Sequence, residues 1–316
     1  MTLDYSEILV TGGAGFIGSH IVDRLLQEGL AVRVLDNLST GEKKNLAQHQ
    51  NKKSFRFIEG DVRNFDLVKK AVEGVDAVVH EAALVSVTRS VEDPLLSNEI
   101  NVKGTVNLLK ACVDAHVKRF VLASSCAVYG DTETLPNHEN LAPKPLSPYA
   151  ADKLAAETYA KVFHDVYGLE TVSLRYFNVY GPRQKYGPYS GVISIYINIL
   201  QENEPPLIIG DGTQTRDFVN VKDVVEANIN ALTKPKAAGE VFNISTGEAT
   251  TINKLAETIQ QIMGKTDLKP VHAEPRPGDI MHSYGDISKA ERKLGYKPRV
   301  QLEKGLNELI KWHSKQ

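Results

Sequence analysis

The chain has 316 residues, 42% of them hydrophobic and 24% charged, with a formal net charge of −2. That length can bury a large core and divides readily into two lobes. The near-neutral balance, with lysines and arginines scattered along the chain, excludes a basic nucleic-acid footprint. Asp4 and Glu7 ahead of the first apolar run do not match a signal peptide, and no apolar run approaches membrane-spanning length, so the expected location is the cytoplasm.

The first predicted element is a strand at 8–11, which leads through Gly12-Gly13-Ala14-Gly15-Phe16-Ile17-Gly18 into a helix marked by Ile17, Ile21, Val22 and Leu25. This is the layout of a dinucleotide phosphate cradle. Gly12 or Gly13 permits the tight turn, Gly15 lets backbone approach a pyrophosphate, and Gly18 lets the helix pack on the strand. The free amides at the helix start face the phosphates. A second strand, 32–36, ends in Asp36, 18 residues after Gly18. An acid there accepts from the adenosine ribose hydroxyls and repels a 2′-phosphate, which favours NAD over NADP.

Further strands are predicted at 55–59, 77–80, 119–124 and 170–175, with helices at 101–115 and 149–167. Alternation of this kind predicts a doubly wound parallel α/β sheet, a Rossmann fold with ligands at the carboxyl ends of its strands. From Asn178 onward Gly181-Pro182, Gly187-Pro188, Pro205-Pro206 and the loop 274–279 break the rhythm. The expected division is an NAD-binding domain over 1–177, with a return segment near 217–243, and a smaller α/β substrate-binding lobe over 178–316. Cys112 and Cys126 read as buried free thiols, and the nine histidines show no metal-binding spacing, so no metal is expected.

The candidate chemistry lies at Ser124-Ser125, a predicted strand end, and at Ser147-Pro148-Tyr149-Ala150-Ala151-Asp152-Lys153. Tyr149 and Lys153 are four apart and so share one face of a helix. A free tyrosine is a poor base at neutral pH, but an adjacent ammonium and a cationic nicotinamide ring favour its phenolate. Ser125 is placed to share the hydrogen bond to the reacting oxygen.

With these residues in view, the chain resembles the extended short-chain dehydrogenase/reductases, and within them the UDP-hexose 4-epimerases, over nearly its whole length. The matching stretches are 11–20; 36–41; Gly60-Asp61-Val62; His80-Glu81-Ala82-Ala83; 101–105; 124–130; 149–153; 175–182; 210–218; and Arg276-Pro277-Gly278-Asp279. The resemblance implies a cofactor site formed by Gly12, Gly15, Phe16, Ile17, Gly18, Asp36, Asn37, Ser39, Thr40 and Gly41. It adds Asp61 and Val62 at the adenine, Ala82, Ala83 and Leu84 along the middle, Asn101, Ser124, Tyr149 and Lys153, and Tyr176, Phe177 and Val179 over the nicotinamide. It likewise implies a UDP-sugar site drawn from Ser86, Ser125, Tyr149, Asn178, Val192, Leu207, Ile209, Arg216, Arg276, Asp279 and Ser283. In that site the two arginines meet the diphosphate as guanidinium forks, and Asp279 meets a uridine ribose hydroxyl.

The implied reaction inverts C4 through a transient 4-keto sugar, with Tyr149 removing and returning the proton and bound NAD used without net consumption. Nucleotide-sugar dehydratases and UDP-glucuronate decarboxylases of this family carry an acid after the strand-end Ser or Thr. Here Cys126 and Ala127 stand there. A UDP-glucuronate 4-epimerase remains an alternative, and a non-catalytic NAD-binding scaffold is argued against by the intact Ser125, Tyr149 and Lys153. The position of Ser283 is implied to face the sugar's C2 substituent. A small residue there predicts acceptance of N-acetylhexosamines, although a register one residue along puts Tyr284 at the same place. Pairing through the helices at 101–115 and 149–167 is implied to give a homodimer.

Overall fold

The computed structural model describes residues 4–185, 191–275 and 280–315. Seven parallel strands form its central sheet: β1 (Glu7–Thr11), β2 (Ala31–Asp36), β3 (Phe55–Glu59), β4 (Ala77–His80), β5 (Arg119–Ser125), β6 (Glu170–Tyr176) and β7 (Glu240–Ile244). Their spatial order is β7-β6-β5-β4-β1-β2-β3, with the direction of winding reversing between β4 and β1. That reversal opens a crevice at the strand ends, where doubly wound sheets bind their ligands.

The strands form because both faces are covered. Ile8, Val10, Val32, Val34, Val121 and Ala123 turn one way and pack on the helices Phe16–Gln27, Val221–Thr233 and Ser288–Leu294. The intervening Leu9, Leu35, Phe120 and Leu122 turn the other way onto the helices Phe65–Val72, Gly104–Asp114 and Pro148–Tyr167. Period-two alternation with apolar residues on both faces is the signature of a sheet buried from both sides.

The six strands expected in the first half agree with those observed to within one residue at each end, which is the usual latitude of strand limits. The helix expected at 101–115 differs at its start. A π-helical turn, Glu99–Lys103, precedes the α-helix Gly104–Asp114. The wider turn holds the buried Asn101, whose side chain bonds twice to the backbone of Leu84 (2.8 and 3.0 Å) and donates to Ser97 (3.4 Å), and such turns are frequent at functional sites.

A second core lies beyond Asn178. Tyr180, Tyr196, Ile197, Leu200, Ile208, Leu255, Ile259, Leu306 and Leu309 bring together the helices Val192–Gln201, Ile252–Met263 and Leu302–His313. Short strand pairs line its inner side: Asn178–Tyr180 with Phe218–Asn220, Leu207–Ile209 with Val271–Ala273, and Thr215–Arg216 with both Thr250–Thr251 and His282–Ser283. The chain crosses between the two cores repeatedly, since Val221–Thr233, β7 and Ser288–Leu294 all pack on the first. Where it first leaves, Arg183 donates to Ser19 (3.1 Å) and Asp23 (2.7 Å) of the helix Phe16–Gln27. No helix among the described residues is long and apolar enough to cross a membrane.

Candidate active site

The glycine-rich turn after β1 is set by close approach. Gly12 takes a left-handed φ of +67° and its amide donates to Leu35 O (2.9 Å); a Cβ there would lie 2.6 Å from the Ala82 amide nitrogen. Gly12 is therefore the turn residue. At Gly13 the constraint is Val34, 2.9 Å from where a Cβ would stand, and at Gly18 it is Gly12 O at 2.3 Å. The helix Phe16–Gln27 begins at Gly15 with no side chain capping its first amides. Phe16 and Ile17 occupy that first turn. Uncapped N-terminal amides behind a glycine cradle suit a pyrophosphate.

Asp36 ends β2 with both oxygens facing the same loop, accepting from the amides of Ala14 (2.9 Å) and Leu38 (2.8 Å); burial pushes its carboxyl pKa up. A Cβ on Gly41 would come within 3.0 Å of Asp36 Oδ1. Asn37, Ser39 and Thr40 lie exposed at this rim, with Asn37 accepting from the Ser39 amide and donating to Asp61 (2.9 Å). Arg63 forks onto Asp61 (3.0 and 2.9 Å) and, as the largest cause, holds its pKa down to about 2. Val62 is buried against Gly104.

The crevice floor is a polar relay. Thr105 gives its proton to Asn101 O (2.6 Å), so its oxygen accepts from His80 Nε2 (3.0 Å). His80 Nδ1 then accepts from Thr11 (2.7 Å), whose oxygen receives the Ala82 amide (3.3 Å). Burial, aided by Lys153, lowers the His80 pKa to about 3, and its ring stays neutral. With Asn101 holding Leu84, the run Ala82, Ala83, Leu84 is fixed along the crevice.

Tyr149 and Lys153 stand on the helix Pro148–Tyr167, which Ser147 caps by accepting from Ala150 N (3.2 Å). Ser90 anchors the same end through the Tyr149 amide (3.1 Å). The Tyr149 side chain faces Ser125, whose oxygen accepts from Ala127 N (3.1 Å). Lys153 Nζ lies 5.9 Å from the Tyr149 ring centre and donates to Ala123 O (2.7 Å). Burial raises Tyr149 to about 12 and lowers Lys153 to about 8. Ser124 turns away and donates to Glu157, which also receives Arg175 (2.9 and 2.7 Å).

Tyr176, Phe177 and Val179 divide. Tyr176 is buried, with its hydroxyl donating to Glu81 (2.7 Å), while Phe177 packs on Tyr129 and confronts Gly285, where a Cβ would come within 2.8 Å of its ring. Val179 packs against the first core.

Across the crevice, Asp217 organises the second core's edge. Its buried carboxylate accepts from the Thr246 amide (2.8 Å) and hydroxyl (2.7 Å) and from the amides of Gly247 (2.9 Å) and Gly285 (3.3 Å); its carbonyl receives Asn178 (3.0 and 3.2 Å). Arg216 precedes it and pairs in register with Ser283, which lies beside Cys126. The strand Leu207–Ile209 leads into the lining of an open cavity of about 560 Å³ formed by Gly210, Asp211 and residues 272–275. Val192 starts its helix, and Ser86 caps Val87–Glu92 by accepting from Arg89 N (3.1 Å), so its hydroxyl is engaged there. Arg276 and Asp279 lie outside the described residues.

Sequence reasoning missed Ser90, Asp217, Asn228 and the contact of Cys126 with Ser283, none of which has a local pattern. Glu81 carried a signal: a charged residue directly after four buried strand residues.

Parallel sheet, glycine cradle, terminal acid and a Ser-Tyr-Lys set together define a dinucleotide-dependent enzyme acting on an alcohol or ketone carbon. The chain belongs to the NAD dependent epimerase/dehydratase family, whose profile matches residues 8–245. It is 40% identical over 306 residues to a UDP-glucose 4-epimerase of Mycolicibacterium smegmatis, covering 96% of this chain and 97% of that one. Among solved structures it is similar to a UDP-N-acetylglucosamine 4-epimerase from Methanobrevibacter ruminantium in complex with UDP-N-acetylmuramic acid (TM-score 0.94, 41% identity, 98% and 99% of the two chains). It is likewise similar to a UDP-glucose 4-epimerase with UDP-glucose from Thermotoga maritima (TM-score 0.92, 40% identity, 98% and 99%).

Because Gly12 is both left-handed and in contact with Ala82, Gly12→Ala is expected to cost about 1–3 kcal/mol in urea unfolding and to strip most of the co-purifying NAD. Wild-type levels of both would show that the turn tolerates a side chain.

Proposed function

We propose that this chain is an NAD-dependent 4-epimerase of UDP-hexoses. One observation carries the reading: Tyr149 faces Ser125, with Lys153 one turn behind, on the side of the crevice that holds Cys126 and Ser283. Bound NAD⁺ supplies a hydride acceptor and donor for the sugar C4 and a positive charge beside the phenol. The uncapped amides after Gly15, together with Asp36, suit its diphosphate and adenosine ribose, and Asp36 favours NAD over NADP.

Tyr149 takes the proton of the sugar 4-hydroxyl and later returns it. Its phenolate is disfavoured by burial, so it depends on the ammonium of Lys153 and on the cofactor's charge. Ser125 hydrogen-bonds the reacting oxygen. Arg216, with Arg276, suits the diphosphate, while the small side chains of Cys126 and Ser283 leave the sugar room to turn. Dehydration is disfavoured, because burial holds the Cys126 thiol at about 12 and Ala127 has no proton to give.

A homodimer completes the reading. Tyr159, Val162 and Val166 are exposed at 42, 45 and 67% and lie along one side of the helix Pro148–Tyr167. Sedimentation velocity is expected to give twice the chain mass for the wild type and a monomer for Val162→Glu; a monomeric wild type would sink this part.

Tyr149→Phe is expected to lower interconversion of UDP-glucose and UDP-galactose about 10²- to 10⁴-fold with bound NAD retained. A loss of only a few fold would remove Tyr149 from the mechanism. Ser283→Tyr is expected to abolish turnover of UDP-N-acetylglucosamine while sparing UDP-galactose, a discrimination of about 1–3 kcal/mol set by pocket shape. Equal loss on both, or no wild-type activity on the N-acetyl sugar, would place the gate elsewhere.

A further inference from the structure

We infer that residues 181–185 form a strap across the cofactor crevice and that Arg183 keeps it closed, so that exchange of NAD waits on the pair between Arg183 and Asp23. The inference concerns the cofactor and goes beyond the sugar chemistry proposed above.

The strap begins where the chain leaves the short strand Asn178–Tyr180, and it runs along the helix Phe16–Gln27, whose first amides suit the pyrophosphate. Gly181 passes so close to the first residue of that helix that a Cβ on it would lie 3.7 Å from the Phe16 ring and 2.6 Å from Val221. His20 Nε2 donates to the Pro182 carbonyl (2.9 Å), and Arg183 reaches Ser19 (3.1 Å) and Asp23 (2.7 Å). Positions 16, 19, 20 and 23 share one face of a helix. Lys185 then meets Glu42 (3.1 Å), on the loop that follows Asp36.

The anchor is fixed from behind. Asp23 also accepts from Gln48 (2.8 Å) and His49 (2.6 Å), in the short helix Lys43–His49 that continues from Glu42. The Glu42 amide donates to Ala14 O (2.9 Å) inside the glycine turn. The strap therefore ties the pyrophosphate helix to the adenosine-side loop, and a dinucleotide seated between Gly15 and Asp36 is bordered by both attachments.

Arg183 is costly to hold. Its φ is +68°, in the left-handed region that side chains seldom adopt, asparagine and aspartate most readily. Its pair with Asp23 leaves the two side chains only 19 and 21% exposed, where screening is weaker than at the surface. Lys185 and Glu42 are more exposed and add little. A strained residue held by one well-formed pair marks where the strap opens.

All of these bonds join the chain to itself. Losing one lowers the cost of opening equally with NAD bound and with NAD gone, so entry and release quicken together and affinity hardly moves. A residue touching NAD would change affinity instead, and one that only supported the fold would leave the exchange rate alone.

The test mixes holoenzyme with excess isotopically labelled NAD and follows the label that becomes bound, by mass spectrometry after rapid desalting. Dissociation constants come from equilibrium dialysis against graded NAD. Arg183→Asn tolerates left-handed backbone but is too short to reach Asp23; it is expected to speed exchange about tenfold, with the dissociation constant within about twofold of wild type. Asp23→Asn is expected to do the same, and the double variant to add little to either alone. Exchange within about twofold of wild type in both single variants would overturn the inference. Faster exchange with an equal loss of affinity would overturn it too, by making Arg183 a direct ligand of the cofactor. Should Arg183→Asn not fold, Arg183→Lys replaces it: the charge stays, the fork is lost, and exchange is expected to quicken about threefold, whereas an unchanged rate overturns the inference. None of these outcomes depends on which sugar is turned over, so the strap and the proposed reaction fail separately.

Discussion

The ammonium of Lys153 sits where bulk water does not reach, and the surrounding architecture is built to tolerate it. An isolated buried charge would neutralise itself. Here the carbonyl of Ala123 accepts from it directly at 2.7 Å, and that contact fixes the helix Pro148–Tyr167 against β5. Two residues further along β5, Ser125 faces the phenol of Tyr149. A single strand end thus meets both the cation and the hydroxyl. Their spacing follows from the geometry of one helix against one strand, without reliance on flexible side chains.

The opposite wall is organised by a carboxylate used differently. Asp217 gathers donors from Thr246, Gly247 and Gly285, so two separate loops converge on one buried acid. Removing it would leave several donors without partners in a low-dielectric interior. This node places Arg216 and Ser283 side by side, and the glycine at 285 lets the same loop pass the ring of Phe177. The wall bearing Tyr149 and Lys153 is ordered by a helix and a strand. The wall bearing Arg216 and Ser283 is ordered by loops tied to a charge.

Much of this was legible from residues alone because it depends on local pattern. The glycines of the cradle, the apolar runs of β1 to β6 and the i, i+4 pair Tyr149 and Lys153 each declare themselves within a few positions. What escaped depends on distance along the chain. Ser90 meets the Tyr149 amide across 59 residues, and Asn228 meets Tyr176 across 52. No periodicity links such pairs. The π-helical start at Glu99–Lys103 was hidden for another reason: side-chain bonding by Asn101 overrides a helical register that the surrounding residues would otherwise support. Glu81 is intermediate, visible as a charge in an apolar neighbourhood while its partners were not.

The order of strands has a consequence for the protein as it is made. β6 lies beside β5 and is followed in the chain by the helix Val192–Gln201 and several short strands before β7 arrives to cover its other side. Until residue 244 has left the ribosome, the nascent sheet carries β6 as an open edge, rich in Val172 and Leu174, with unpaired backbone groups facing solvent or a chaperone. Uncovered edges of this kind recruit neighbouring chains. Slowing translation between residues 177 and 240 would lengthen that exposure, so yield in a heterologous host should track codon usage in this interval more closely than in the stretch that encodes the first five strands.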